Sequence, residues 1–396
     1  MRLATTKTTS RSNSSRFELN GAGDLFGEVR TSDFVAAPSQ THRDTLALIA
    51  GTAPTPISTR AEAESRALMD RLLENWRILP SLSADLVEHV MPRILQPPDA
   101  VRLRNCWLVV SAFARAQFVA CFPLVQALER ERTSYSLLKG AATGFRLYPQ
   151  PYMRASWDND VGVTRYDVRF AEQLALEVGF RRAQYNKKID RFERADPLLR
   201  AEVESQHYEL GFLVRRVGVT NLGGATLEAL RSEPWTRWFF RDVESTSPWC
   251  YANLDIHHAL SLDIPVEQLL ATAHRVSSGG KSAIIPSDAW LAAHLIFKIY
   301  WEGVHEYRKG LYQFADVVRL VPLLDTAMFE SLLEILERYN MVAAAHYVFR
   351  RVPLFGVPLP DHIAAFVEDT FTPPSDAKCM QLNDLGDMWA RIWGLR

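Results

Sequence analysis

Two aspartates separated by a single residue are the side chains of this sequence best suited to chemistry. Asp158 and Asp160 lie in Asp158–Val163 (DNDVGV), a short run that predicts a β-strand. Because side chains alternate between the faces of a strand, both carboxylates are expected on one face, ~6–7 Å apart, with Asn159 on the other. Two carboxylates that share a face can bind divalent cations together.

A phosphate-binding position is predicted just upstream of this strand. Residues 135–139 (YSLLK) predict a strand that ends at Gly140, and residues 141–147 predict a short helix. A helix N-terminus offers free N–H groups and the positive end of the helix dipole, and a glycine there would let a phosphate approach the backbone. Lys139 and Arg154 are cations beside this segment, and each is expected either to contact phosphate or to stay solvated.

A third carboxylate is expected from residues 252–257 (ANLDIH), which also predict a strand. Leu254 and Ile256 would face the core and leave Asp255 and His257 on the opposite face. Three carboxylates could hold two cations ~3.5–4 Å apart, which would clamp the phosphates of a nucleotide and activate an acceptor hydroxyl. In-line attack at the α-phosphorus would then release pyrophosphate.

The elements that must position these residues divide the 396-residue chain into four predicted parts. Residues 1–58 are rich in Ser, Thr, Gly and Pro and predict a disordered or loosely docked arm. Residues 59–132 predict a helical block, residues 133–262 an α/β-like core of strands and helices, and residues 263–396 a C-terminal helical domain. The predicted fold class is therefore α+β, with a small mixed-sheet core flanked by helical N- and C-terminal blocks.

Hydrophobic periodicity and turn residues predict further elements within these parts. The predicted helices cover residues 84–95, 166–178, 265–276, 287–303, 308–322, 325–339 and 341–350, with one or two more within 101–130. The predicted strands cover residues 207–214, 250–257 and 282–285.

The composition is typical of globular proteins. The 45 basic and 46 acidic residues nearly cancel, which argues against a protein that coats nucleic acid or anionic membranes. The apolar stretch 106–125 carries Arg115 and Gln117 near its centre, so a buried helix is expected there rather than a membrane span. The four cysteines form no CxxC pair, and the N-terminal residues contain no apolar run typical of a secretory signal. We therefore expect reduced thiols and a cytoplasmic protein.

Several of these segments together resemble the uncharacterised nucleotidyltransferase family, which belongs to the DNA polymerase beta-like nucleotidyltransferase superfamily. The resemblance covers residues 133–320 and rests on the order and spacing of its parts. Those parts are residues 139–142 (KGAA), Tyr148-Pro149, Arg154, the D-x-D pattern at 158–160, residues 254–260 (LDIHHAL), His294, Tyr300-Trp301 and Asp316.

This resemblance implies an enzyme, a nucleotidyltransferase that moves a nucleoside monophosphate, foremost AMP from ATP, to an acceptor hydroxyl or other nucleophile and releases pyrophosphate. It implies that Asp158 and Asp160 are Mg²⁺ ligands and that Asp255 is the third carboxylate. It also implies that two Mg²⁺ ions are bound, with Mn²⁺ as an alternative metal, and that Gly140 lines the triphosphate.

The chain departs from the superfamily pattern at Ala141, where a Ser or a second Gly usually meets the phosphates. Lys139 or Arg154 would then compensate for the missing contact. The same departure favours an alternative function, a catalytically weak nucleotide-binding or regulatory module. A toxin-like modifier of a protein or tRNA is a further alternative.

The remaining candidates concern the rest of the cleft and the acceptor. Each of the five cleft candidates is expected either to line the cleft or to be an ordinary packed residue, namely His207, Glu209, His257, His294 and Lys298. Asp316 is expected to be a structural partner in the helical domain. A small molecule or a peptide, as in natural-product tailoring, is favoured as acceptor over RNA, and no DNA or membrane partner is expected. The basic pairs at 181–182, 187–188 and 215–216 are either a solvated face or an RNA contact.

Overall fold

The computed structural model describes residues 40–186, 191–206, 209–219, 222–245, 247–261, 264–304 and 311–368. The predictions for residues 1–39 and for His207 lie outside these ranges. The predicted boundaries between the core and its helical flanks stay predictions.

The described residues form thirteen α-helices, numbered along the chain. They are α1 Gln40–Ala50, α2 Glu62–Glu74, α3 Pro97–Arg130, α4 Lys139–Leu147, α5 Val168–Glu177, α6 Pro197–Gln206, α7 Gly224–Ser232, α8 Val266–Leu270, α9 Asp288–Val304, α10 Tyr312–Leu320, α11 Thr326–Arg338, α12 Val342–Phe349 and α13 Asp361–Glu368. The strands described are β1 Tyr135–Leu137, β2 Asp158–Val163, β3 Arg181–Asn186, β4 Arg191–Arg194, β5 Glu209–Gly218, β6 Trp249–His257, β7 Ala259–Ser261, β8 Ile264–Pro265, β9 His274–Ser278 and β10 Lys281–Ile285.

A mixed sheet of six strands forms the centre of the fold, in the order β1-β2-β6-β5-β3-β4. Strands β2 and β6 run parallel, and the other neighbouring pairs are antiparallel. On β6, every second side chain from Cys250 to Ile256 is fully buried, because this face of the sheet packs on α3 and α5. Helices precede and follow the sheet in the chain, so the predicted α+β class is confirmed.

The helix α3 is the longest helix among the described residues and lies in the core. Its 34 residues run through Pro123 without a break, where one or two helices were predicted, because proline removes a single hydrogen bond while the surrounding side chains stay packed. The helix is long and apolar enough to cross a membrane by length and composition, and 56% of its most apolar window is buried in the protein. The prediction of a buried helix over 106–125 is confirmed.

The helix α4 reaches its place because Gly144 has no side chain. It follows β1 directly and packs against the single turn Pro151–Met153 that leads into β2. A methyl group at Gly144 would overlap the carbonyl oxygen of Pro151. The close approach of this helix and this turn therefore sets where β2 begins.

A buried ion pair connects the sheet region to α10. The Nε of Arg154 donates to both carboxylate oxygens of Asp316 at 2.9 Å, and its Nη2 lies 2.9 Å from Oδ2. The Tyr148 hydroxyl donates to the same carboxylate at 2.8 Å. The Arg154 and Asp316 side chains are 5% and 1% exposed, so the carboxylate is satisfied by protein groups alone. This contact agrees with the structural role predicted for Asp316.

Three segments differ from the sequence predictions. Residues 84–95 form short turns, Leu86–Val90 and Met91–Arg93, because Pro92 cannot donate the hydrogen bond that a continuing helix needs. Residues 265–276 are helical only in α8. The chain then enters a hairpin of β9 and β10 around Gly279-Gly280, whose positive φ angles suit a two-residue turn.

The third difference is in the predicted arm. Residues 40–50 form α1, which packs on α2 and α10 and buries Leu48 and Ile49 completely. The carboxylate of Asp44 on this helix accepts from Arg60 at 2.8 Å, and both side chains are buried. This part of residues 1–58 is therefore docked, because its leucines and its ion pair give it more buried surface than its polar composition indicated.

The buried ion pair predicts a large stability difference between two carboxylate substitutions. Asp316→Asn leaves the Arg154 guanidinium buried without its counter-charge, so we expect a loss of about 3–5 kcal/mol of unfolding free energy. Glu62→Gln removes the carboxylate of an exposed pair with Arg66 and should change stability by no more than about 0.5 kcal/mol. Denaturant unfolding followed by circular dichroism measures both, and equal losses would contradict the assignment.

The packing of α4 predicts a contrast between two glycines. Gly144→Ala should destabilise the protein by about 1–3 kcal/mol, because the helix must move away from Pro151. Gly224→Ala introduces the same methyl group into open space at the start of α7 and should be neutral or stabilising by up to about 1 kcal/mol. Thermal unfolding of the two variants and the wild type tests this contrast. Equal melting temperatures for the two variants would contradict it.

Candidate active site

Strand register brings the two predicted carboxylate segments together. In the parallel pair β2–β6, Asp160 lies directly beside Asp255. In the antiparallel pair β5–β6, Glu209 lies directly opposite His257. Since Asp255 and His257 are two residues apart on one strand, their side chains share the face on which Asp160 points. Three strands thus contribute polar side chains to one small area of the sheet.

Within this area Asp160, Asp255 and His257 form a compact cluster. One ligand atom from each of the three residues lies within 4.8 Å of those of the other two, close enough to bind a single metal ion. Asp160 and His257 are buried, and Asp255 is partly exposed. The set with this spacing does not include Asp158, whose Oδ1 accepts a hydrogen bond from the Ser156 hydroxyl at 3.1 Å. Asp158 is the first residue of β2 and is partly exposed.

The two oxygens of the Asp160 carboxylate have different surroundings. Oδ1 lies 2.6 Å from the ammonium of Lys139 and 2.8 Å from Nε2 of His257. Oδ2 is buried and has no hydrogen-bond partner among the described residues. A buried carboxylate oxygen that lacks a hydrogen-bond partner is the kind of donor that a hard cation such as Mg²⁺ binds. The residues present therefore fit a divalent metal ion.

Burial and neighbouring charges shift the pKa values of the cluster in opposite directions. Burial and the nearby Asp158 and Asp160 raise the pKa of Asp255 well above its ordinary value. Burial alone would also raise the pKa of Asp160, but the Lys139 ammonium and the His257 hydrogen bond outweigh it and lower that pKa. Burial would lower the pKa of Lys139, but Asp160 and Asp158 outweigh it and raise that pKa. Asp160 is thus a stable anion, while Asp255 binds a proton readily.

Lys139 occupies an unusual backbone conformation at the junction of β1 and α4. Its φ angle is 45°, in the left-handed region that non-glycine residues rarely adopt. The preceding residue, Leu138, donates its backbone N–H to the carbonyl oxygen of Asp160 at 2.9 Å. Main chain and side chain of this junction therefore both contact Asp160. The sequence predicted Lys139 as a phosphate contact and did not indicate its ion pair.

The first turn of α4 lies beside the cluster, as the sequence predicted for a phosphate site. The space above the Cα of Gly140 is filled by Ser156, since a methyl group there would lie 3.1 Å from the Ser156 oxygen. Gly140 thus allows close packing of α4 against the loop before β2. Ala141 lines a small cleft together with aromatic side chains such as Phe118 and Phe145. Asn159 also lines this cleft, so it lies on the face of β2 opposite Asp160.

The other predicted site residues fall at different distances from the cluster. Glu209 places Oε2 3.4 Å from Nε2 of His257. His294, on α9, is 5% exposed and its Nδ1 has no hydrogen-bond partner within the described part of the chain. Burial, Lys139 and Lys298 lower the pKa of His294 to about 3, so its ring is neutral at physiological pH. Arg154 is held by Asp316 rather than by the cluster.

A family sequence profile matches most of this chain. The profile, described as "Uncharacterised nucleotidyltransferase", matches residues 64–355. The chain belongs to the uncharacterised nucleotidyltransferase family. No curated protein matches the chain. Among solved structures, it is similar to the crystal structure of an antigenic nucleotidyltransferase-like protein from Paracoccidioides brasiliensis, with 13% sequence identity, a TM-score of 0.30, and coverage of 63% of this chain and 94% of that chain.

Family membership confirms the resemblance that the sequence motifs indicated. It supports a role in nucleotidyl transfer and a nucleotide as substrate. Several of the residues that carried the resemblance lie in two spatial groups in this protein. Lys139, Asp160 and the 254–260 segment meet at the cluster. Tyr148, Arg154 and Asp316 meet in the buried network.

The raised pKa of Asp255 predicts a pH-dependent stability in the absence of metal. An acid whose pKa is higher in the folded state stabilises the fold below its ordinary pKa of about 4, and this contribution is lost as the pH rises through the raised pKa. The protein in EDTA should therefore lose up to about 1 kcal/mol per pH unit on the alkaline side of pH 4, relative to Asp255→Asn, which stays neutral.

Thermal melting in EDTA at a series of pH values measures this difference. Asp70→Asn serves as the matched control, because Asp70 is an exposed carboxylate on α2. The advantage of Asp255→Asn over the wild type should grow with pH, and that of Asp70→Asn should stay constant. A constant advantage for both variants would show that the pKa of Asp255 is not raised in the folded protein.

Proposed function

We propose that this protein is a metal-dependent nucleotidyltransferase that moves a nucleoside monophosphate, AMP from ATP foremost, to an acceptor nucleophile and releases pyrophosphate. The observation that carries the proposal is the cluster of Asp160, Asp255 and His257, together with the buried Oδ2 of Asp160, which has no hydrogen-bond partner among the described residues. Such a cluster in a member of a nucleotidyltransferase family is best explained as a site for the metal that nucleotidyl transfer uses.

Oδ2 of Asp160 and the carboxylate of Asp255 would hold the cation, which we propose to be Mg²⁺, with Asp158 as a further ligand at the start of β2. The bound ion would neutralise charge on the phosphates and make an acceptor hydroxyl more acidic. His257 and Lys139 orient Asp160 through its other oxygen. We also propose Asp255 as the group that takes the proton that the acceptor releases.

The first turn of α4 is the proposed contact for the triphosphate. Its N–H groups carry the positive end of the helix dipole, and the hydrogen bond from Leu138 to Asp160 keeps this turn beside the cluster. Gly140 and Ala141 follow Lys139 in this turn. Arg154 is excluded from a direct role in this proposal, since its guanidinium is committed to Asp316.

A catalytically weak nucleotide-binding module is the second candidate. The observation that favours it is the Lys139–Asp160 ion pair, which already neutralises the carboxylate most suited to metal binding. In either case the acceptor or partner is proposed to be a small molecule or peptide in the cytoplasm. Measuring nucleotide binding and pyrophosphate release separately distinguishes the two candidates.

We expect metal-dependent nucleotide binding that requires the cluster. Calorimetry with non-hydrolysable analogues of ATP, CTP, GTP and UTP, with and without Mg²⁺, should show binding of ATP foremost, and only with the metal. Asp160→Asn and Asp255→Asn should each weaken that binding at least tenfold, because each removes a charged ligand of the cation. Asp70→Asn, outside the cluster, should bind like the wild type.

The same proteins then receive α-phosphate-labelled nucleotide and a mixture of small metabolites and peptides. Pyrophosphate release with label on an acceptor supports transfer, and binding without release supports the weak module. Folded protein that binds none of the four nucleotides would refute both candidates.

A further inference from the structure

The position of Lys139 bears on how many metal ions the proposed site accepts. Its ammonium lies 2.6 Å from Oδ1 of Asp160 and 3.4 Å from Nε2 of His257, so it sits among two of the three candidate ligands. The lysine side chain is 17% exposed and the Asp160 side chain 1% exposed. The ammonium is thus an interior cation and differs from a surface lysine that solvent could draw away.

The Asp160 carboxylate offers only one oxygen to a metal in this arrangement. A carboxylate that bridges two divalent ions contacts each ion through an oxygen that faces it. Here Oδ1 is shared by Lys139 and His257, and the buried Oδ2 alone has no partner among the described residues. One ion can bind at Oδ2, while a second ion at Oδ1 would have to occupy the place of the ammonium.

The backbone holds the ammonium in this place. Lys139 keeps a φ of 45°, a conformation in which glycine would be free of strain and a lysine is not. The adjacent hydrogen bond from Leu138 N–H to the Asp160 carbonyl ties the junction to β2. Strain of this kind persists where the surrounding structure demands it, and it is frequent at functional sites. The lysine is therefore positioned by the fold and is not placed there by chance side-chain motion.

We propose that Lys139 is a built-in cation that takes one of the two cation positions of this site, so that the protein binds a single divalent ion. This proposal rests on the proposed function, since it assumes that the cluster binds a metal. The sequence resemblance implied two divalent ions. In this proposal a single divalent ion lies at Oδ2, and the Lys139 ammonium lies at Oδ1 in place of the second ion. Lys139 is then a positioning residue that orients and neutralises Asp160.

The number of bound Mn²⁺ ions tests the proposal without any enzyme assay. Titration with Mn²⁺ alone, followed by electron paramagnetic resonance, should give one ion per chain for the wild type. Lys139→Met and Lys139→Gly should each bind two ions, because the ammonium no longer occupies the position at Oδ1. The glycine variant also relieves the backbone strain at φ 45°, so it keeps the test valid if Lys139→Met does not fold.

The matched control is Lys281→Met, which removes an exposed lysine on β10 outside the cluster and should bind one ion like the wild type. Anomalous scattering from Mn²⁺-soaked crystals should show one peak in the wild type and a second peak beside Asp160 Oδ1 in Lys139→Gly. Two Mn²⁺ ions in the wild type, or one ion in both folded Lys139 variants, would refute the role of Lys139 as a built-in cation. Either result would leave the proposed metal site intact. No bound Mn²⁺ in any of these proteins would overturn the metal site, and with it the proposed function.

Discussion

The need to neutralise one buried carboxylate governs the arrangement of this protein. Asp160 is almost completely buried and charged, and a buried charge is tolerated only when partners surround it. Its two partners come from different elements, Lys139 from the junction of β1 and α4 and His257 from β6. The junction, β2 and β6 must therefore keep one register. A shift of a single residue would turn Asp160 to the other face of the sheet.

A second buried charge pair performs a comparable task at longer range. Arg154 and Asp316 are separated by 162 residues in the chain, and their ion pair joins the loop before β2 to α10. Tyr148 completes the hydrogen bonding of the carboxylate. Residues that belong to one family pattern thus serve two purposes. One group builds the carboxylate cluster, and the other holds the C-terminal helices against the part of the chain that presents it.

The departure from the superfamily pattern at Ala141 lies on the cleft side of α4. Ala141 lines the cleft behind β2 together with Phe118 and Phe145, and polar residues such as Gln117 and Asn159 line the same cleft. Gly140 is needed for contact with Ser156 and gives α4 its close approach to the loop. The first turn of α4 can then contribute backbone N–H groups and dipole to phosphate binding, without help from a side-chain hydroxyl.

The sequence by itself predicted four of the six central strands, β1, β2, β5 and β6, and which carboxylates share a strand face, because strand alternation is a local property that needs no partner. It did not predict β3 and β4, and it placed helices at 84–95 and 265–276 that the structure does not contain at that length. Alternation put Asp158 and Asp160 on one face and Asp255 with His257 on another strand. Only the tertiary structure decided which of them meet, since the register of β2 against β6 depends on contacts far apart in the chain. In the tertiary structure Asp160 lies beside Asp255 and His257 and forms an ion pair with Lys139, while Arg154 forms an ion pair with Asp316. Local patterns show which residues are charged, but the partner of a buried charge is chosen by the whole fold.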